Sequence, residues 1–375
     1  MQLGSSGHGS RERRAPIAAV AALSVAAPAA VVAGILDGLD GLRWRWLRLL
    51  DRLARSLSRP GRVGIGPLMR RPELRVAIGG LVGVLGALAC ALVLPLWTLA
   101  LSPLLLGVPH LLADLRYLVV RPGLHRRARL ALGIGLPLLV TGLGAGMPAG
   151  LCAVLAALVL GPGATWRKGL GVLLVAAALG WGLRRGFYEQ ELVLAHAHNA
   201  VAVLLWWLWR PQRGRLHVLP LLAFALAGGA LALGVVRPLA GALAWQGPAG
   251  LSLDAHAEAL APMFEPELAT RLVLLYCFAQ GVHYSTWLRL IPEEDRERPT
   301  PRTFRASALA LRAELGMPLL VGAGLAMAAL LGWAVRDLFA ARVGYFRLAL
   351  FHGYLELCAL ALLWVSGRRP QPARP

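Results

Sequence analysis

From residue 76 onward the chain is a succession of apolar stretches, each near the roughly 20 residues that a helix needs to cross a bilayer, separated by short arginine-bearing segments. Backbone polar groups inside lipid must be satisfied within their own element, so uninterrupted apolar runs of this length are helices. A hydrophobic content of 57%, with 15% charged residues and a mean hydropathy of +0.62, excludes a soluble domain of this size. The expected fold is an all-α, polytopic integral membrane helix bundle of about ten transmembrane helices. They fall at 76–97, 98–120, 129–147, 148–163, 169–184, 190–209, 217–236, 270–291, 315–335 and 344–366. The net charge of +20 does not point to nucleic acid, because the arginines sit in short loops beside apolar runs, where the positive-inside rule accounts for them.

That rule puts the segments 121–128, 164–168, 210–216 and 289–312 and the basic tail 367–375 in the cytoplasm, and the acidic segment 237–269 outside. Both termini are then cytoplasmic. Arg184, Arg185, Arg336 and Arg342 fall on the wrong side of this scheme, and the segments around 148–184 are short for full spans. Lys168 is the only lysine among abundant Ala, Gly, Leu and Arg, a bias of GC-rich coding, so the expected location is a bacterial inner membrane.

Three regions are expected: an arginine-rich N-terminal region over 1–75, the transmembrane domain over 76–366 and the tail. Residues 15–36 form an alanine-rich apolar run that reads as a cytoplasmic or half-inserted helix, with a cleaved secretory signal as the alternative. In the stretch that follows, Leu42, Trp46, Leu49, Leu50, Leu53 and Leu57 share one helical face and Arg45, Arg48, Arg52, Arg55 and Arg59 the other. This is the pattern of a helix lying on an anionic membrane surface.

Four of the nine histidines fall inside separate apolar segments: His110, His198 or its neighbour His196, His283 and His352. Ionisable side chains at bilayer depth are costly and mark functional sites. His110 with Asp114, and His352 with Glu356, are four residues apart and so share a helix face, the pattern of a buried metal or proton site. His196 and His198 are two apart and point in nearly opposite directions, so one is expected at the site and the other in a supporting role. Gln280 lies on the face of His283 one turn earlier, Tyr284 follows it, and Gly281 permits close approach of another helix. With this topology the four histidine-bearing spans run in the same direction. Counting back from the flanking arginines spreads their depths over roughly 15 Å. The structural alternatives are Asp114 paired with Arg116 or Arg121, and a hydrogen-bonded cluster around His283 without metal.

His8, His125, His217 and His256 are expected in solvated segments, and Trp206, Trp207, Trp209 and Trp287 in an interfacial belt. Cys90, Cys152, Cys277 and Cys358 show no metal or disulfide spacing and read as core packing residues.

The segment Gly107-Val108-Pro109-His110 with Asp114 resembles the GxPHGxxD motif of the bacterial and archaeal β-carotene 15,15′-dioxygenase family, the bacteriorhodopsin-related proteins. Leu111 stands where that family has glycine. The resemblance is specific over about ten residues and architectural over the later intramembrane histidines. It implies an integral membrane iron enzyme that uses dioxygen to cleave a carotenoid double bond, with histidines as iron ligands.

The expected function is therefore a membrane non-haem Fe(II), O2-dependent oxygenase acting on a lipophilic substrate, a carotenoid or another lipid, taken from the lipid bilayer. His110, His196 or His198, His283 and His352 are the metal candidates, and Asp114, Glu356, Tyr284 and Gln280 the catalytic ones. A haem-binding electron-transfer protein and a proton-coupled transporter using the same His and carboxylate groups are the alternatives.

Overall fold

The computed structural model describes residues 14–57, 65–209, 215–236, 247–248, 251–294 and 303–367. Every regular element among them is a helix, and there is no strand. His8, Arg59, most of the 210–216 loop, much of the 237–269 segment and the tail from 368 lie outside the described residues. The chain divides into two compact units, one drawn from Met1–Leu68 and Pro301–Ala310, the other from Met69–Thr300 and Leu311–Pro375.

In the first unit the alanine-rich run and the amphipathic stretch are one continuous 44-residue helix, α1 (Arg14–Leu57), with α2 (Ile65–Arg70) after it. Leu42, Trp46, Leu49, Leu50 and Leu53 are all exposed, so the apolar face read from the sequence stays uncovered within this unit. Asp40 on α1 accepts hydrogen bonds from the backbone N–H of Phe304 (2.9 Å) and Arg305 (3.3 Å). A carboxylate there satisfies amides that a helix start leaves unbonded.

The second unit holds α3 (Pro72–Val93) and α4 (Pro95–Asp114), each opened by a proline, which is tolerated where its missing N–H has no intrahelical role. Then follow α5 (Ala128–Val140), α6 (Gly146–Leu160), α7 (Thr165–Arg185), α8 (Tyr188–Trp209), α9 (Val218–Ala232) and the short α10 (Leu253–Leu260). Last come α11 (Pro266–Ser285), α12 (Ile291–Glu294), α13 (Phe304–Leu315, whose start belongs to the first unit), α14 (Met317–Arg336) and α15 (Leu338–Ser366).

Among the described residues, six helices are long and apolar enough to cross a membrane: Pro72–Val93, Pro95–Val120, Ala128–Leu160, Tyr188–Leu208, Met317–Arg336 and Leu338–Ser366. Ala128–Leu160 is folded back on itself. Gly144 (φ +110°) and Gly146 (φ +62°) take backbone conformations that favour glycine, and Gly133 then lies against Ala156 and Leu160. The two arms, α5 and α6, are 13 and 15 residues long and match the third and fourth apolar segments of the sequence. The helices α7 and α11 reach 21 and 20 residues but carry more polar side chains, and α9 is 15 residues long. Each of the ten apolar segments thus has a helix, although six candidate spans rather than ten meet the length and hydropathy expected of a crossing.

The four histidine-bearing helices pack in a closed ring, α4 on α11, α11 on α8, α8 on α15 and α15 on α4. They run parallel. Cys277 meets the carbonyl of Pro95 while His283 meets His110, Gly107 faces Tyr345 while His110 faces His352, and His196 meets Tyr276 while His198 meets His283. The helix α3 closes on α11 from outside, where a Cβ on Gly281 would stand 2.9 Å from Ala87, the close approach its small size predicted. Both α4 and α11 continue through a π-helical turn, Leu115–Val120 and Thr286–Leu290, directly below the histidine each carries. Such turns shift the register of one face and gather at functional sites.

Candidate metal centre

His110, His283 and His352 converge so that one ring nitrogen of each lies within 4.8 Å of the others. His198 completes the cluster, with its ring centroid 5.3 Å from that of His283 and 5.4 Å from that of His352. The roughly 15 Å spread of depth inferred from the arginines is therefore wrong. The helix α11 does not end near Arg289 but runs on through its π turn into α12, and α15 continues to Ser366, so flanking arginines do not mark one level.

His198, not His196, belongs to the cluster. The His196 ring turns away toward Tyr276, and its Nε2 lies 3.1 Å from the carbonyl oxygen of Leu260.

Three of the four rings are held the same way. His110 Nδ1 lies 3.3 Å from the carbonyl oxygen of Leu106, His198 Nδ1 lies 3.0 Å from that of Ala195, and His352 Nδ1 meets that of Ala349. With Nδ1–H donating to the helix backbone, Nε2 is left with its lone pair free, the arrangement that orients an imidazole as a metal ligand. The carbonyl that Pro109 leaves unbonded is that of Leu105, one residue before the one His110 uses. The Nε2 of His110 and both ring nitrogens of His283 are buried without a hydrogen-bond partner among the described residues. Buried polar atoms are rarely left so, and a bound cation would satisfy them together. The donor set thus fits a divalent transition metal that favours imidazole.

Beneath the rings lie two carboxylates, Asp114 and Glu356, neither with measurable exposure. Glu356 Oε1 accepts a 2.6 Å hydrogen bond from Trp287 Nε1–H and stands 3.7 Å from His283 Nε2, while its Oε2 has no partner. Both oxygens of Asp114 are unpartnered. Arg116 and Arg121, the alternative partners in sequence, instead grip Glu314 in two bidentate pairs at 2.8–2.9 Å. Unpaired buried carboxylates beside neutral imidazoles are the charge complement of a cation. Tyr284 packs its ring 4.8 Å from that of His110, and Gln280 donates from Nε2 to the Tyr284 hydroxyl at 3.5 Å.

A cavity of about 530 Å³ opens onto His198, His283 and His352, while His110 and Asp114 lie behind it. Its volume is that of a site for one drug-sized molecule.

Three expectations fail. Trp287 is fully buried and braces Glu356, and Trp206 is buried as well, so neither belongs to an interfacial belt. Trp287 sits four residues after His283, the same one-turn spacing that marked the carboxylates, and that signal could have found it. His256 is 3% exposed, because α10 folds onto α11. Burial, and then the charge of Arg342, hold its imidazole below the usual histidine range. His125 is exposed as expected, whereas His217 is only half-exposed, its ring tilted against Trp207 at 4.8 Å and its Nδ1 enclosed. Cys277 and Cys358 are core residues, but Cys90 and Cys152 are exposed on helix surfaces; all four thiols are free.

Compared with protein-family models, curated proteins and solved structures, the chain matches none.

Proposed function

We propose that this chain is a membrane non-haem Fe(II) oxygenase that uses dioxygen on a lipophilic substrate, a carotenoid or another lipid, drawn laterally from the bilayer. The observation that carries the reading is the convergence of three imidazole nitrogens within 4.8 Å, with His198 at ring contact beside them. His110, His198, His283 and His352 would hold the iron. When bound, Fe(II) with open positions supplies activation of dioxygen.

The chain's own residues account for the rest. Nδ1–H donors fixed on helix carbonyls keep Nε2 of His110, His198 and His352 aimed inward. Asp114 and Glu356 offset the added charge, and Trp287 holds Glu356 Oε1 while its Oε2 stays free to hold a proton. Tyr284 and Gln280 line the substrate side, and the apolar walls formed by Leu192, Leu194, Phe339 and Leu350 exclude water and receive an apolar chain. Three imidazole nitrogens gathered on one point suit a single ion better than the opposed axial ligands of the haem alternative.

The same reading has the chain cross a bacterial inner membrane about ten times, with α7, α9 and α11 and both arms of the α5–α6 hairpin counted as crossings and both termini cytoplasmic.

Oxygen uptake by iron-loaded protein in detergent, measured with β-carotene and other carotenoids, tests the proposal. Substrate-dependent uptake that is lost in His110→Ala and His352→Ala supports it. Uptake that survives both substitutions contradicts it.

A further inference from the structure

Arg342 enters the same cavity ten residues before His352 on α15, in the segment expected near the outer surface. It is 92% buried, since its relative exposure is 8%. One face of its guanidinium lies over the Phe346 ring, 5.1 Å from the centroid. Its edge meets no carboxylate and no hydrogen-bond acceptor among the described residues, and Nε is wholly enclosed without a partner. Its neighbours are the hydroxyl-bearing Tyr276 and Tyr284, the Cys277 thiol and His256. Nε2 of His256 is also buried without a partner, while the Tyr345 hydroxyl, three residues along the same face, lies against that of Tyr284. Glu191, the acidic residue lining this cavity, lies against Gly146 and makes no ion pair with Arg342 among the described residues.

A guanidinium that cannot lose its proton is costly to bury unpaired, and a planar fork of donors matches a carboxylate. The positive-inside rule makes an arginine at this end of a span anomalous, and a bound anion would account for it.

We infer that Arg342, with His256 Nε2, binds the anionic end group of a single-chain amphiphile, a carboxylate on an apolar tail. The apolar part of the ligand runs along α15 toward the histidines. Ten residues of helix separate Arg342 from His352, so end group and metal centre are roughly 15 Å apart, and the tail presents to the centre a fixed position along its length. Naming this ligand as the substrate rests on the oxygenase reading; the preference for an acid end group does not.

The experiment is therefore done on metal-free, detergent-purified protein, with a fluorescent polyene fatty acid and its methyl ester as probes. The acid should bind about tenfold or more tightly than the ester, in line with a charge-assisted pair. Arg342→Gln should abolish that preference, Arg342→Lys should keep part of it, and Arg336→Gln, at an exposed position on α14, should leave it intact. Elution as a single species and unchanged iron loading on reconstitution separate loss of the end-group site from loss of fold or of the metal centre. Equal binding of acid and ester by the parent protein, or an acid preference that survives in folded Arg342→Gln, would overturn the inference. If iron loading fails throughout while the acid preference holds, the end-group site stands and the oxygenase reading falls.

Discussion

At the scale of single residues, the bond from Trp287 to Glu356 tests how the centre is braced. Partners of this kind behind metal-ligating histidines typically govern 10–100-fold in affinity. Trp287→Phe keeps the ring and removes the donor, so iron affinity measured by chelator competition should fall by roughly that factor while the fold survives. Unchanged affinity would make the bond purely structural. His196→Ala should retain iron and His198→Ala should bind it markedly less well, because only the second ring faces the cluster. Sequence spacing brought His110 with Asp114, and His352 with Glu356, onto common faces. It could not choose between His196 and His198, because each shares its face with other polar residues and only packing against α15 decides.

At the scale of elements, the close approach of α4 to α15 depends on Gly107. A Cβ there would stand 2.4 Å from Tyr345 Cζ, and that ring is itself buried. Gly107→Ala should cost about 1–3 kcal/mol, read as a lower unfolding temperature in detergent, together with weaker iron retention as the His110 and His352 rings separate. Glu314 on α13 offers a pH test outside the apolar spans. Burial alone would raise its carboxyl, but hydrogen bonds and charge from Arg116 and Arg121 outweigh that and pull it to about 2. The stabilisation it gives is complete above the ordinary value of 4.5 and is lost as pH falls toward about 2. Thermal unfolding followed from pH 6 down should show that loss, and Glu314→Gln should show it at every pH, at a cost of about 1 kcal/mol once solvent screening of this partly exposed carboxylate is allowed for. The ten apolar segments were legible as helices because their length and composition suffice. The depth of each histidine was not, because π turns and helix extensions past Arg289 leave no mark in hydropathy.

At the scale of the whole molecule, parallel packing of the four histidine-bearing helices requires an odd number of crossings between each and the next. The hairpin of α5 and α6 is the critical pair, since arms of 13 and 15 residues span roughly 20–23 Å against about 30 Å of hydrocarbon. Leu143 at its tip is 76% exposed. In a cysteine-free background, Leu143→Cys should react with an impermeant maleimide from the outer side of intact cells. Labelling only after the membrane is opened would cancel two crossings from the scheme. The central claim, that four intramembrane histidines hold one iron, is tested most directly by metal analysis with an optical spectrum on detergent-purified protein, comparing the parent with His110→Ala and His352→Ala. The account predicts about one iron per chain without a Soret band, lost in both variants. Protein that remains metal-free after anaerobic reconstitution with Fe(II), or iron retained in both variants, would contradict it.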